Sequence, residues 1–383
     1  MVMDKLHHFV VLHCGSVPNT FSGEVVMDRQ LNSRAHSGTQ TGTQMRSIGG
    51  MLSWLVLTLL LHSQPLQAQS ASVLSSPAPV TAAASFPQRP LTLVVPFPPG
   101  GGTDTTARLL AKRLSDNLGQ QVLIDNKPGG GGVAGAVAVR NAPADGHTLF
   151  IGHVGTHAID IHLHSKLGYD PVADFTPISS FMSFLSLLVV PANSPARNFA
   201  ELVALAKSKP GGLSFASQGH GTAGHFLGEM MKTATGAPMV HIPMKGGAPA
   251  VAETVAGRTD LLFSSYISSG AFLREGKLRA LAYAAPKRAP ALPEVPTLVE
   301  LGVRGVEFDQ WFAVFAPARL PEALTRRLNE EVIKAVRHPE LVAAIDRLGA
   351  EVITSSPEGL ARLIAQDTVR YGEIVRRIGA KLD

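Results

Sequence analysis

The feature that most constrains this chain is an apolar run that breaks into prolines and glycines and then starts a helix. It reads Val94-Val95-Pro96-Phe97-Pro98-Pro99-Gly100-Gly101-Gly102-Thr103-Asp104-Thr105-Thr106-Ala107-Arg108. Leu91 to Val95 has the unbroken apolar character of a buried strand. Past the glycines, Ala107, Leu110, Ala111, Leu114 and Leu118 recur on one helical face, with Arg108, Lys112, Arg113 and Asp116 on the other. Thr103 or Asp104 is the expected N-cap. Glycine backbone can turn successive N–H groups toward one point, and the helix start adds the positive end of its dipole. The turn is therefore a small anion site built from main chain, or a tight connection that binds nothing. Three glycines after two prolines exceed what a connection needs.

Strand and helix patterns alternate through the rest of the chain, which argues for an α/β fold. Gln121 to Asp125 reads as a strand, and Lys127-Pro128-Gly129-Gly130-Gly131-Gly132 turns into a helix from Val133. Thr148 to Gly152 is a third strand, followed by Gly155-Thr156-His157 at the opening of a short helix. A pattern of strand, proline, three residues and proline recurs 126 positions apart, at Pro191/Pro195 and Pro317/Pro321. We read these as the places where the chain enters and leaves a second lobe. The expected division is 86–189 with 306–383 for the first lobe and 190–305 for the second. Inside the second, Ser217-Gln218-Gly219-His220-Gly221-Thr222-Ala223-Gly224-His225 repeats the logic of the opening stretch. Two helix starts on opposite lobes are then expected to face each other across a cleft.

At the N-terminus, Met45-Arg46 precedes a short apolar core from Met51 to Leu61, then Ser63-Gln64-Pro65 and small residues to Ala71. That is the layout of a secretory signal peptide over 45–71, with an apolar run too short to span a bilayer comfortably. An uncleaved anchor is the alternative, because a clean Ala-x-Ala is missing. Residues 1–44 are polar and aperiodic and are expected to be an upstream extension without a fold; 72–85 is a flexible leader rich in Ser, Ala and Pro. Cys14 is the chain's one cysteine and lies in that extension, so the mature protein would have neither disulfides nor thiolate chemistry. A net charge of +5 without a Lys/Arg run makes nucleic acid an unexpected partner.

Other chemistries have weaker signals. Literal G-x-G-x-x-G matches occur at Gly130/Gly132/Gly135 and Gly219/Gly221/Gly224. Neither is followed at about twenty residues by the acidic residue a dinucleotide ribose would need. Histidines cluster at His153/His157, His162/His164 and His220/His225, but without an H-E-x-x-H or a carboxylate at ligand spacing, so no metal is expected. His225 is expected to cap or line the cleft. Asp104 has no nucleophile or titratable partner in view and is expected to bond loop N–H groups. No cofactor is expected.

Together these stretches resemble the solute-binding receptors of tripartite tricarboxylate transporters, the Bug-type periplasmic proteins. The likeness runs from Phe86 to about Gly379 and rests on Pro96 to Asp104 with Arg108, Asn126-Lys127-Pro128-Gly129-Gly130, and Ala144-Asp145-Gly146-His147-Thr148-Leu149. Tyr169-Asp170-Pro171, Ser217 to His225, Ile242-Pro243-Met244-Lys245-Gly246, Gly276 to Ala282, Val295-Pro296-Thr297 and Trp311 to Pro317 extend it. The resemblance implies a two-lobed, periplasmic-binding-protein-like (Venus flytrap, type II) fold with a ligand cleft between lobes. It also implies a monomeric, non-catalytic periplasmic receptor that binds a small carboxylate and serves integral membrane permease subunits. Carried over, the carboxylate site is Pro99, Gly100, Gly101, Gly102, Thr103 and Asp104 with Ser217, Gly219, Gly221, Thr222 and His225. Gly155, Thr156 and His157 would form a third wall. Two departures stand out: Met244 replaces a usual aromatic, and Ser264 follows Phe263 where an Asp is common. Both are expected near the ligand. The rival reading is a dinucleotide-dependent oxidoreductase using a glycine-rich turn.

Processing can be checked directly. N-terminal sequencing of exported protein is expected to find a start between Ser70 and Ser76; residues 1–44 intact on exported material would overturn this.

Overall fold

The computed structural model describes residues 85–379 and 381. The expected extension (1–44), the signal peptide (45–71) and all of the leader but Ser85 lie outside the described residues. The chain begins with β1 (Leu91–Val95), α1 (Gly102–Leu118), β2 (Val122–Asn126), α2 (Val133–Arg140), β3 (Thr148–His153), α3 (Asp160–Leu163) and β4 (Phe175–Phe184). Next come β5 (Ser186–Pro191), α4 (Phe199–Ser208), β6 (Leu213–Ser217), α5 (Ala223–Thr235) and β7 (Met239–Pro243). The middle of the chain ends with α6 (Gly247–Val255), β8 (Leu261–Ser265), α7 (Tyr266–Arg274) and β9 (Leu278–Tyr283). It closes with β10 (Gln310–Pro317), α8 (Glu322–Val336), α9 (Pro339–Arg347), β11 (Ala350–Val352) and α10 (Pro357–Ile378).

The strands form two sheets, ordered β11-β4-β10-β3-β1-β2 and β7-β6-β8-β5-β9. Each contains a parallel trio, β2-β1-β3 or β7-β6-β8, flanked by an antiparallel strand that the chain delivers on crossing between sheets. For the second sheet that strand is β5, for the first it is β10. The crossing falls at Leu185, between β4 and β5, rather than after Val189 as expected. The reason is that Leu187, Leu188 and Val189 are needed as the inner partner of β8 and are fully buried there. Parallel strands read as continuous apolar runs because both faces are covered: Leu91, Leu93, Val94 and Val95 are at most 2% exposed.

The last helix seals the first lobe. Ser356 caps it by accepting from the Gly359 amide, and Gly379 ends it in a left-handed conformation at φ 67°. Leu360, Ile364, Tyr371 and Val375 bury along one face at helical spacing. Trp311 on β10 donates its indole N–H to Asp367 at 2.8 Å, tying helix to sheet. No helix among the described residues is long and apolar enough to cross a membrane.

Behind the sheet, Gly155–Ile159 forms a π-helical turn that leads into α3, and all five residues are buried. His157 stacks on Phe315 with ring centroids 3.7 Å apart. That stack fits because Gly152 on β3 has no side chain; a Cβ there would collide with both rings. Gly152→Ala is therefore expected to destabilise the protein by about 1–3 kcal/mol, the usual cost of overpacking a core. Urea unfolding measures it, and an unchanged midpoint would overturn the packing argument.

Candidate functional site

Three parallel strands, β1, β6 and β8, end at the edge where the two lobes meet, as ligand-binding edges do in open α/β sheets. Between the lobes lies a cavity of about 60 Å³. The first lobe lines it with Phe97, Gly101, Gly102, Thr103, His153, Phe184, Gln310 and Phe312. The second supplies Gln218, Thr222, Ala223, Gly224, Gly247, Phe263, Ser264, Ser265, Ile267 and Ser268.

The helix starts are the dominant feature. The first turns of α1, α5, α6 and α7 all contribute lining residues, and none of these four helices has a side-chain cap. Their first N–H groups have no partner within their own helices and carry the positive ends of four dipoles. No lining residue is Asp, Glu, Lys or Arg. His153 adds no charge at neutral pH: burial pushes it down to about 4, although a contact with the Gly131 backbone acts the other way. Its Nδ1 accepts from the Gly155 amide at 3.0 Å, which fixes the proton on Nε2. Phe97, Phe184, Phe263, Ile267 and Phe312 make the remaining wall apolar. The arrangement suits an anionic group at one end and a short carbon skeleton at the other.

The residues singled out in the sequence separate into two groups. Gly101, Gly102, Thr103, Thr222 and Ser264 line the cavity. Pro99 and Gly100 are exposed outside it. Gly101, not Thr103 or Asp104, is the N-cap of α1. Asp104 instead reaches back to accept from the Gly100 amide at 3.0 Å, and it holds Arg108 (Nε–Oδ2 3.0 Å) and the Asn126 amide (3.0 Å). Arg108 is thereby turned away from the cavity. Ser217 does not line it either: its hydroxyl donates to Gly219 O, accepts from Gly219 N and sits 2.6 Å from His241 Nε2. Gly219, Gly221 and His225 lie behind the lining, and Thr222 bonds Gly219 O at 2.7 Å to brace the loop. Gly155, Thr156 and His157 do not form the third wall; Thr156 Oγ1 bonds His153 O and His157 Nδ1, and the wall residue is His153. Met244 packs against the buried cluster that includes Leu187, Val189 and Val251 instead of lining the cavity.

Sequence reasoning missed Gln218 as a lining side chain, the Ser265–Ser268 start of α7, and the aromatic wall. Phe184 and Phe312 carry no local signal, because they arrive from strands whose apolar runs read simply as core. Ser265-Tyr266-Ile267-Ser268 follows β8 without a glycine turn, so nothing in it announces a helix start.

Glycines let the lobes touch backbone to backbone. A Cβ at Gly131, at φ +68°, would strike the His220 carbonyl oxygen of the other lobe. One at Gly221 would strike Asp160, and one at Gly155 would lie 3.1 Å from Gly221 O. The glycine turn Gly130–Gly132, a candidate phosphate cradle by its spacing, is thus packed against the second lobe.

Two lobes joined at crossing strands, with helix starts converging on a cavity between them, define a solute-binding protein of the periplasmic binding class. The chain belongs to the tripartite tricarboxylate transporter family receptors, whose family model matches residues 106–380. It is 39% identical over 292 residues to the "UPF0065 protein in tcbD-tcbE intergenic region" of Pseudomonas sp. strain P51, covering 76% of this chain and 87% of that one. Among solved structures it is similar to an R. palustris protein with adipate (36% identity, TM-score 0.75, 78% of this chain and 100% of that one). It is also similar to MatC from Rhodopseudomonas palustris with bound malate (34% identity, TM-score 0.73, 76% and 100%).

Asp104 gives the site a pH signature. Burial opposes its charge, but Arg108, the Gly100 amide and Asn126 outweigh that and hold its carboxyl below the usual range. A depressed folded-state pKa stabilises the fold fully above the ordinary aspartate value of about 3.9, and the gain is lost as pH falls through the folded value. Asp104→Asn is expected to cost about 1–3 kcal/mol at neutral pH. The melting-temperature gap to wild type should narrow below about pH 4. A gap constant with pH would assign the loss to shape instead of charge.

Proposed function

We propose that this chain is an extracytoplasmic, monomeric receptor that captures a small organic acid and delivers it to the permease subunits of a tripartite tricarboxylate transporter. The ligand is a di- or tricarboxylate, an acidic amino acid or an aromatic carboxylate. The observation that carries this reading is the convergence of four uncapped helix starts, from both lobes, on a cavity without a charged lining residue. Such a site attracts a carboxylate through N–H groups and dipoles, each exposed helix end worth about 0.3–1 kcal/mol and more when partly buried. Thr103, Thr222, Ser264 and Ser268 add hydroxyls that can accept or donate as the ligand requires. The apolar wall fits the carbon chain of acids such as the adipate and malate held by the two R. palustris proteins. Periplasmic location follows from the expected signal peptide and the family.

A panel of dicarboxylates and aromatic acids, adipate and malate included, tests the reading by thermal shift and calorimetry. At least one acid is expected to raise the melting temperature without being consumed. Gln218→Ala should weaken that acid by about 1–3 kcal/mol, the range for removing a buried polar partner. Consumption of a panel acid, or a shift with nicotinamide cofactors alone, would favour the oxidoreductase.

A further inference from the structure

The second lobe gathers a histidine cluster that the acid site does not use. His220 lies in the β6–α5 loop, His225 in the first turn of α5 and His241 on β7. One ring nitrogen from each falls within 4.8 Å of the others. The rings of His225 and His241 stack at 4.1 Å, and His220 stands edge-on to them at 5.5 and 5.1 Å. We propose that His220, His225 and His241 form a three-imidazole site for a divalent transition metal, with zinc as its first occupant.

The donor chemistry fits. Ser217 Oγ lies 3.0 Å from Gly219 O and 2.6 Å from His241 Nε2; with its hydrogen given to Gly219 O, His241 Nε2–H donates and its Nδ1 keeps a lone pair. A hydroxyl partner on the far nitrogen is the second-shell arrangement that orients metal-bound histidines. His225 Nδ1 faces the Gly221 amide at 3.4 Å, a bond long enough to give way to a metal. Zinc–nitrogen bonds of about 2.0–2.1 Å require donors about 3.4 Å apart with the ion near each ring plane, so on binding the exposed His220 swings inward and the stacked His225 and His241 rings rotate out of their near-parallel arrangement. Three imidazoles leave a coordination position for water, and this donor set suits zinc, nickel and copper above magnesium or calcium. The loop so tied carries Gln218 and Thr222 into the acid cavity, so a metal here can influence acid affinity without touching the acid.

The sequence separates His241 from His225 by a whole helix, so spacing gave no sign of the third ligand. The test is calorimetric titration of untagged, chelator-treated full-length protein with zinc chloride, paralleled by visible absorption with cobalt(II). One equivalent of zinc with nitrogen-ligand cobalt bands is expected. His220→Ala, an exposed position that should leave the metal-free melting temperature unchanged, should weaken zinc by about tenfold or more. His241→Gln should weaken it likewise. No zinc uptake by wild type, or uptake undiminished in His220→Ala, overturns the site.

Discussion

An uncapped helix start has to find partners for its first N–H groups, and in this protein four such starts meet in one cavity. Most of the structure follows from that demand. The starts come from different lobes: α1 from the first, α5, α6 and α7 from the second. Neither lobe builds the site alone. Bringing them together needs backbone to approach backbone at Gly131 against His220 and Gly155 against Gly221, and leaves room for the Asp160 carboxyl at Gly221. The glycines that look like a phosphate-binding signature in sequence serve in good part as the seam.

Binding an anion without a lysine or arginine has a physical logic. A flexible cationic side chain loses rotamer freedom when it grips a ligand, whereas backbone N–H groups in a folded helix are already fixed. Fixed donors in a cleft between two lobes also act through a lower dielectric than donors at an open surface. The one nearby guanidinium, Arg108, is held by Asp104 on the outer side of α1, where it firms up the loop. Charge thus shapes the frame of the site, and uncharged groups do the holding.

The architecture was legible because its carriers are local. A strand, a glycine turn and a helix start sit within about fifteen residues of one another, and parallel strands advertise themselves as apolar runs. The same locality explains what was misplaced. Ser217 and Asp104 stand next to the lining residues Gln218 and Thr103, and His157 lies four residues from the lining His153; sequence alone does not say which of such near neighbours points into a cleft. Ser217 is claimed by Gly219 and His241, His157 by Thr156 and the Phe315 ring, and Asp104 by Arg108. Phe184 and Phe312 reach the wall through pairing between β4 and β10, 126 and more positions apart in the chain, which no short window can show.

The contact between the lobes also carries a cost. Asp160 is fully buried beside Gly221 of the other lobe, with the Tyr169 hydroxyl beside its carboxyl. That hydroxyl donates to Thr156 O. Burial consequently pushes the Asp160 carboxyl well above its usual range, and it pushes His157 well below its own, with His153 adding to the effect. The Nε2 atom of His157 is buried without a partner among the described residues. Each buried unsatisfied group costs about 1–3 kcal/mol. Polar groups left unpaired along a seam weaken the contact between the lobes, and a ligand touching both lobes adds contacts that offset them.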